Sequence, residues 1–400
     1  MNRLVAAVSL CGSSALGPAF AQETLTLDDA LARARAHSPA VLAARARVEE
    51  ARARVRGAGR ALANPEVEAA AGRRHDTGRW DLDIGLTQPL EIGGRRGARV
   101  DAAEASLARE LATAEDALRR AHREVAGAYL SAASAQERGH VAASAVTFAE
   151  DILRIARRRH EHGDVAALDV NVAQSGLARA RSEVLAIGAE EAAAFGSLRS
   201  LLALDPQTSL VLDVEAERPA PEVAALVAAA TDRPDVRALE AELKEAEADE
   251  RLGKSLAWPD LAASFRYERD EGADVFWGGI TFSLPLRNRG QETREVALAR
   301  ATRIRGELEA LRLAVRNEIG SSWTVYTLRE KAAAELRAQV AALDENDALA
   351  RRSYEVGQIG LGELLLLRRE TADARSALLE RLAEAAEARI DLETRAGVLR

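Results

Sequence analysis

Cysteine is almost missing from this chain: among 400 residues there is one, Cys11. It lies in a segment built like an export signal, with Arg3, the apolar run Leu4 to Leu10, and small residues ending at Ala21. Cleavage is expected after Ala21, and Leu10 before the cysteine argues against a lipid anchor. The mature chain would then have neither thiol nor disulfide, and packing alone would hold it together. Aromatic residues make up only 4% against 48% hydrophobic residues. That is a poor recipe for globular cores and a good one for long helices whose seams are filled by Ala, Leu and Val. No run of 18 apolar residues occurs, which excludes a membrane-spanning helix. A basic excess is also missing: the formal charge is −8, so nucleic acid is not an expected partner. Phosphate loops, GxSxG, HExxH and GxGxxG are absent, leaving catalysis and cofactor binding without a motif. His160 and His162 flank Glu161, but residues two apart on a helix point in different directions, so no metal site is expected.

What is present is a change of period. Trp80, Leu82, Ile84 and Leu86 alternate with Asp81, Asp83, Gly85 and Thr87 up to Pro89. After Gly93 and Gly94 an Ala-rich helical pattern begins, with Leu107, Leu111, Ala114, Leu118, Ala121, Val125 and Ala128 as a heptad seam. It runs to about Glu161, on the order of 100 Å at the helical rise. Gly163 breaks it, and a second helix returns antiparallel from about Leu168. Upstream, Thr26 is a candidate N-cap with Asp28 and Asp29 behind it. Pro39 starts a helix with Val41, Ala44, Val48, Ala51 and Val55 on its seam. Residues 65–89 then read as a strand hairpin, each strand roughly nine residues long, enough to cross a bilayer at a tilt.

The pattern then replays at an offset of about 195 positions. Residues 204–221 form a linker with one short strand near Leu210. Pro234 answers Pro39, Pro259 answers Pro65, residues 259–285 form a second strand hairpin, and Gly357 answers Gly163. Ile304, Leu308, Leu311, Val315, Ile319 and Ser322 continue the second seam. The expected organisation is a signal at 1–21, one repeat at 22–203, the linker at 204–221 and a second repeat at 222–400. Four strands cannot close a barrel, and an open edge in lipid leaves backbone groups unsatisfied. If the strands cross a membrane, several copies must combine.

A doubled strand-helix repeat behind an export signal resembles the TolC-like outer-membrane factor family. The resemblance covers essentially all of the mature chain. It implies a mainly α fold with a small β part: four transmembrane strands per chain, three chains sharing a twelve-stranded barrel, and a coiled-coil tunnel reaching into the periplasm. Its partners would be a periplasmic adaptor, an inner-membrane RND-type pump and outer-membrane lipid. The segment Thr87 to Arg99 is most similar to heavy-metal efflux channels of the cobalt-zinc-cadmium type. The implied function is a passive exit duct for heavy-metal cations, not an enzyme. Drug efflux and type I protein secretion are alternatives within the family, and a soluble periplasmic coiled-coil scaffold is the alternative outside it.

The resemblance also nominates sites. Glu363 stands at the first of two acidic positions that narrow the periplasmic end, with Leu366 where relatives often carry the second acid. Otherwise Glu363 simply favours the first turn of its helix. Val356, Gly357, Gly360, Leu361, Gly362, Leu364 and Gly163 are candidates for the tips that meet the adaptor, or else pack within the hairpins. Glu66, Glu68, Asp81 and Asp83 would face the barrel lumen if the apolar face meets lipid. Trp80, Trp258, Tyr267, Phe276 and Trp277 suit an interfacial girdle.

Overall fold

The computed structural model describes residues 23–60, 64–73, 75, 78–213, 221–270 and 273–399. The export signal and Cys11 lie outside the described residues.

The chain opens with β1 (Glu23–Leu25) and α1 (Leu27–His37). Thr26 caps α1 as expected: its hydroxyl accepts from the Asp29 N–H at 3.2 Å, and its own N–H donates to the Asp29 carboxylate at 3.3 Å. α2 (Pro39–Ala58) starts on Pro39, whose missing N–H would be unpaired at that position anyway, and buries Val41, Ala44, Val48 and Ala51. The hairpin β2 (Glu66–Arg73) and β3 (Trp80–Leu90) follows. α3 (Arg95–Glu161) runs for 67 residues, and α4 (Ala167–Leu201) returns along it. After β4 (Leu210–Leu212) come α5 (Val223–Ala230), α6 (Pro234–Ser255), the hairpin β5 (Asp260–Asp270) and β6 (Ala273–Ser283), α7 (Gln291–Glu355) and α8 (Leu361–Ala396).

Two findings depart from the sequence reading. β1 pairs with β4 in parallel, Leu25 opposite Leu212, and three residues are too few to show any period. The Tyr129 hydroxyl links this pair to α3: it donates to the Asp213 carbonyl at 2.7 Å and lies 3.1 Å from the Leu25 carbonyl. The heptad seam of α3 also does not persist. Ala121 and Val125 are buried, but Leu111 is exposed and Leu107, Ala114, Leu118 and Ala128 are half-buried. α3 packs against α1, α2, α4, α6 and α8 at different heights, so its buried stripe wanders to Ala126, Tyr129, Ala132 and Ala133 instead of following one partner.

α6 lies between α3 and α7 and ties the halves together. On one face of it Glu245 takes both Arg109 of α3, at 2.8 Å, and Arg300 of α7, at 2.7 Å. Asp249 nearby sits above the usual carboxylate range because of burial and the Glu245 charge beside it. At the start of α6, buried Arg233 donates to Asp235 at 2.8 Å, to Glu318 at 3.2 Å and to the Arg395 carbonyl at 3.0 Å. Burial opposes ionisation of Asp235, but the hydrogen bonds and charge of Arg233 outweigh it and hold its carboxyl below the ordinary range.

Candidate channel wall and tunnel mouth

The four longer strands form one antiparallel sheet in the order β2-β3-β5-β6. Residues opposite one another share a face, so the register sorts the side chains. One face carries the rows Val67, Leu86, Phe265 and Ala69, Ile84, Tyr267, Phe276. The other carries Glu68, Gly85, Arg266, Trp277 and Ala70, Asp83, Glu268, Val275. Glu66, Glu68, Asp81 and Asp83 thus fall together opposite the apolar face. The apolar face is uncovered: Val67 is 71%, Phe276 65% and Ile280 72% exposed. A soluble sandwich would bury these side chains against a second sheet or a helix layer, and they are open here. Among the described residues, β2 and β6 pair on one side only.

Arg266 was not singled out from the sequence. Its guanidinium donates to Asp83 at 2.8 Å and to Glu68 at 3.3 Å. It reaches Glu68 across β3 over Gly85, where a Cβ would only make ordinary contact, 3.7 Å from the Glu68 Cβ and 4.0 Å from the Arg266 Nε. Glu68 and Asp83 are therefore paired. Trp277 lies on the polar face, apart from Trp80, Tyr267 and Phe276, since Arg266 is its cross-strand partner.

The Gly-Gly-Arg-Arg stretch after β3 is a joint between sheet and helices. Gly93 and Gly94 both have φ near +70°, at 69° and 73°. A Cβ on Gly93 would fall 2.2 Å from the Trp258 ring, which packs at the base of the sheet. Arg95 donates to the carbonyls of Ser255, Leu256 and Trp258 and to Asp260, capping the end of α6. Arg99 donates to the carbonyls of Ala58 and Arg60, both at 3.0 Å, and to Glu91 at 2.7 Å, which caps the end of α2. Every arginine contact in this joint goes to the protein's own framework.

At the far end of the helices, Ile152, Ala156, Leu177, Tyr354, Leu361 and Leu364 share one apolar cluster. This corrects the docking role expected for Leu361 and Leu364. Both are buried, Leu364 completely, because they fill the space between the two helical hairpins. Val356, Gly357, Gly360, Gly362 and Gly163 stay exposed at the tips, as does Glu363 in the first turn of α8. Around the cluster, polar contacts cross from one hairpin to the other. Arg351 of α7 donates to Asp151 of α3 at 2.9 Å. Arg159 donates to the Tyr354 carbonyl at 3.2 Å and lies 5.1 Å from its ring. Burial pushes the Tyr354 hydroxyl above its ordinary pKa. Arg368 of α8 bonds Asp347 of α7 at 2.5 Å and covers the Phe148 ring of α3 at 4.4 Å. None of these partners shows in a one-dimensional pattern. His160 and His162 turn their rings to backbone carbonyls, of Val165 and Arg158.

A strand pair and a helical hairpin in each half, with a bare apolar sheet at one end and a pinned helical mouth at the other, define an outer-membrane channel protein. The outer membrane efflux protein family model matches residues 30–204 and again 225–398, and the chain belongs to that family. It is 28% identical over 374 residues to a cobalt-zinc-cadmium resistance protein of Cupriavidus metallidurans, covering 90% of this chain and 87% of that one. It is 27% identical to a nickel-cobalt-cadmium resistance protein of Alcaligenes xylosoxydans xylosoxydans, covering 57% of this chain and 52% of that one. Among solved structures it is similar to the outer membrane protein VceC of Vibrio cholerae, with a TM-score of 0.74 at 19% identity over 93% of this chain and 96% of that one.

Proposed function

We propose that three copies of this chain close a shared twelve-stranded barrel and form a passive exit duct for heavy-metal cations. The duct is fed by an inner-membrane RND-type pump through a periplasmic adaptor. The observation that carries the reading is the exposed apolar face of a four-stranded sheet with a free edge strand on each side. In water such a face and such edges aggregate; in a closed ring within lipid both are satisfied. The duplicated organisation, 22–203 and 222–400 about a linker at 204–221, gives each copy two strand pairs for the ring and two helical hairpins for the tunnel. The metal substrate class rests on the resistance proteins this chain resembles.

In that assembly Glu66, Glu68, Asp81 and Asp83 line the lumen. Arg266 compensates Glu68 and Asp83, so the inner wall is less acidic than its carboxylates alone suggest. Glu363, repeated three times, concentrates cations at the mouth. Opening separates the hairpins where Arg351 meets Asp151, and docking at Val356, Gly357 and the tip glycines supplies the work.

The test is metal sensitivity. A deletion strain is expected to lose growth in cobalt, zinc, cadmium or nickel and to regain it with the gene restored; unchanged tolerance to all of them sinks the efflux role. Spin labels at Leu82 and Ile280 should report hydrocarbon. Contact with water at both would remove the barrel.

A further inference from the structure

The polar face of the sheet gathers its acids around one base. Among the described side chains the four strands place Glu66, Glu68, Asp81, Asp83, Asp260 and Glu268 on that face and a single basic residue, Arg266. Asp83 and Glu268 stand directly opposite each other on β3 and β5, an arrangement in which like charges repel. Arg266 is the neighbour of Glu268 on the same face of β5, and Glu68 lies in its row beyond Gly85. Different nitrogens of the guanidinium meet the two carboxylates of the first hairpin: Nη1 donates to Asp83 at 2.8 Å and Nη2 to Glu68 at 3.3 Å. The cluster is open, with the Arg266 side chain 47% exposed and those of Glu68 and Asp83 70% and 33%. Ion pairs this exposed add little to stability, so holding the fold together is a poor account of the arrangement. Without the arginine, Glu68, Asp83 and Glu268 would supply what a divalent cation binds: oxygen ligands, negative charge and room for water.

We propose that Arg266 is a resident counter-ion that keeps the channel wall from trapping the divalent cations that pass it. The proposal rests on the channel reading above and gives the compensation of Glu68 and Asp83 a task. A duct must attract cations enough for them to enter and hold them weakly enough for them to leave. The acidic face supplies the first; three carboxylates converging on one point of the wall would defeat the second. The guanidinium fills that point, stays charged at every working pH and, being tethered, competes with each passing ion at a fixed and high local concentration.

The probe is zinc, measured by equilibrium dialysis against the full-length protein in detergent. Arg266→Gln is expected to bind about one zinc ion per chain more than wild type, at roughly tenfold lower free zinc than the other surface carboxylates need. Adding Asp83→Asn to that variant should remove the extra ion, and Arg266→Lys, which keeps the charge, should match wild type. Asp83→Asn in an otherwise wild-type chain should leave zinc binding unchanged, a measurement that stands even if Arg266→Gln fails to assemble. Equal zinc binding by wild type and Arg266→Gln overturns the proposal, as does an extra ion that survives Asp83→Asn. So does loss of bound zinc from the single Asp83→Asn variant, because the acids would then be binding metal with Arg266 in place. Failure of the channel reading shows separately, as water contact at the Leu82 and Ile280 spin labels, whatever the zinc binding.

Discussion

The two repeats end their long helices on one backbone motif and then diverge in what they attach to it. Gly163 and Gly357 have φ of 81° and 79°. In both, the following N–H reaches back five residues, Asp164 to the Arg159 carbonyl and Gln358 to the Ser353 carbonyl, each at 2.8 Å. Yet α7 contributes fully buried Tyr354 to the cluster between hairpins, where α3 has exposed His160. At the other end of each repeat, the turn into the second helix differs again. Ser38 precedes α2 with no side-chain bond to the helix, whereas Arg233 precedes α6 at 5% exposure with a carboxylate on either side. The two halves share the turns where only backbone geometry matters and differ in the side chains that make contacts there.

The largest expected difference follows from that second contrast. Arg233→Ala strips two carboxylates of a buried partner and should cost about 3–5 kcal/mol, whereas Ser38→Ala should cost under about 1 kcal/mol. Denaturant unfolding of the detergent-solubilised protein compares them, and equal losses would mean that the waist of the second repeat is no more dependent on charge than the first. The joint between sheet and helices should come next. Gly93→Ala drives a methyl into the Trp258 ring, and Gly290→Ala drives one into the Gly253 carbonyl, 2.3 Å away. Each should lower stability by roughly 2–4 kcal/mol, with reduced recovery of folded protein from membranes.

The shared tip motif sets a smaller and matched effect. Gly163→Ala and Gly357→Ala should each cost about 1–2 kcal/mol, because both place a β-carbon in the left-handed region. A large disparity in melting temperature between them would show that the tips are not equivalent as backbone. The smallest effect belongs to one repeat alone, since all six histidines lie in the first. Burial holds His122 below its ordinary value of 6.5, with the Leu399 carbonyl pulling the other way and Arg35 adding to the depression. The unfolded chain therefore binds the proton more readily, so this contribution is full above about pH 6.5 and is lost as the pH falls toward the folded value. Unfolding free energies measured against pH should decline below that point in wild type and decline less in His122→Gln.

Much of this was legible because it depends on local rules. Thr26 with Asp29, Pro39 at a helix start and the glycines at 163 and 357 each announce a boundary through their own backbone chemistry. The alternation from Trp80 to Leu86 announces two faces. What the sequence could not show were partners 160 to 200 positions apart: Arg266 with Glu68, Arg351 with Asp151, Arg95 with the end of α6. The long seam of α3 misled for a related reason. A heptad presumes one partner, and this helix packs against at least five.

By itself the sequence determined which long segments are helix and which are strand, the places where the chain reverses and the fact that it does all this twice, because these depend on φ, on side-chain spacing and on missing N–H groups. Only the tertiary structure decided which charges are compensated, which leucines at the tip are hidden, and that the arginines after Gly94 cap the ends of other helices. Those outcomes depend on distances between segments, and the energy of a contact is set where two segments meet.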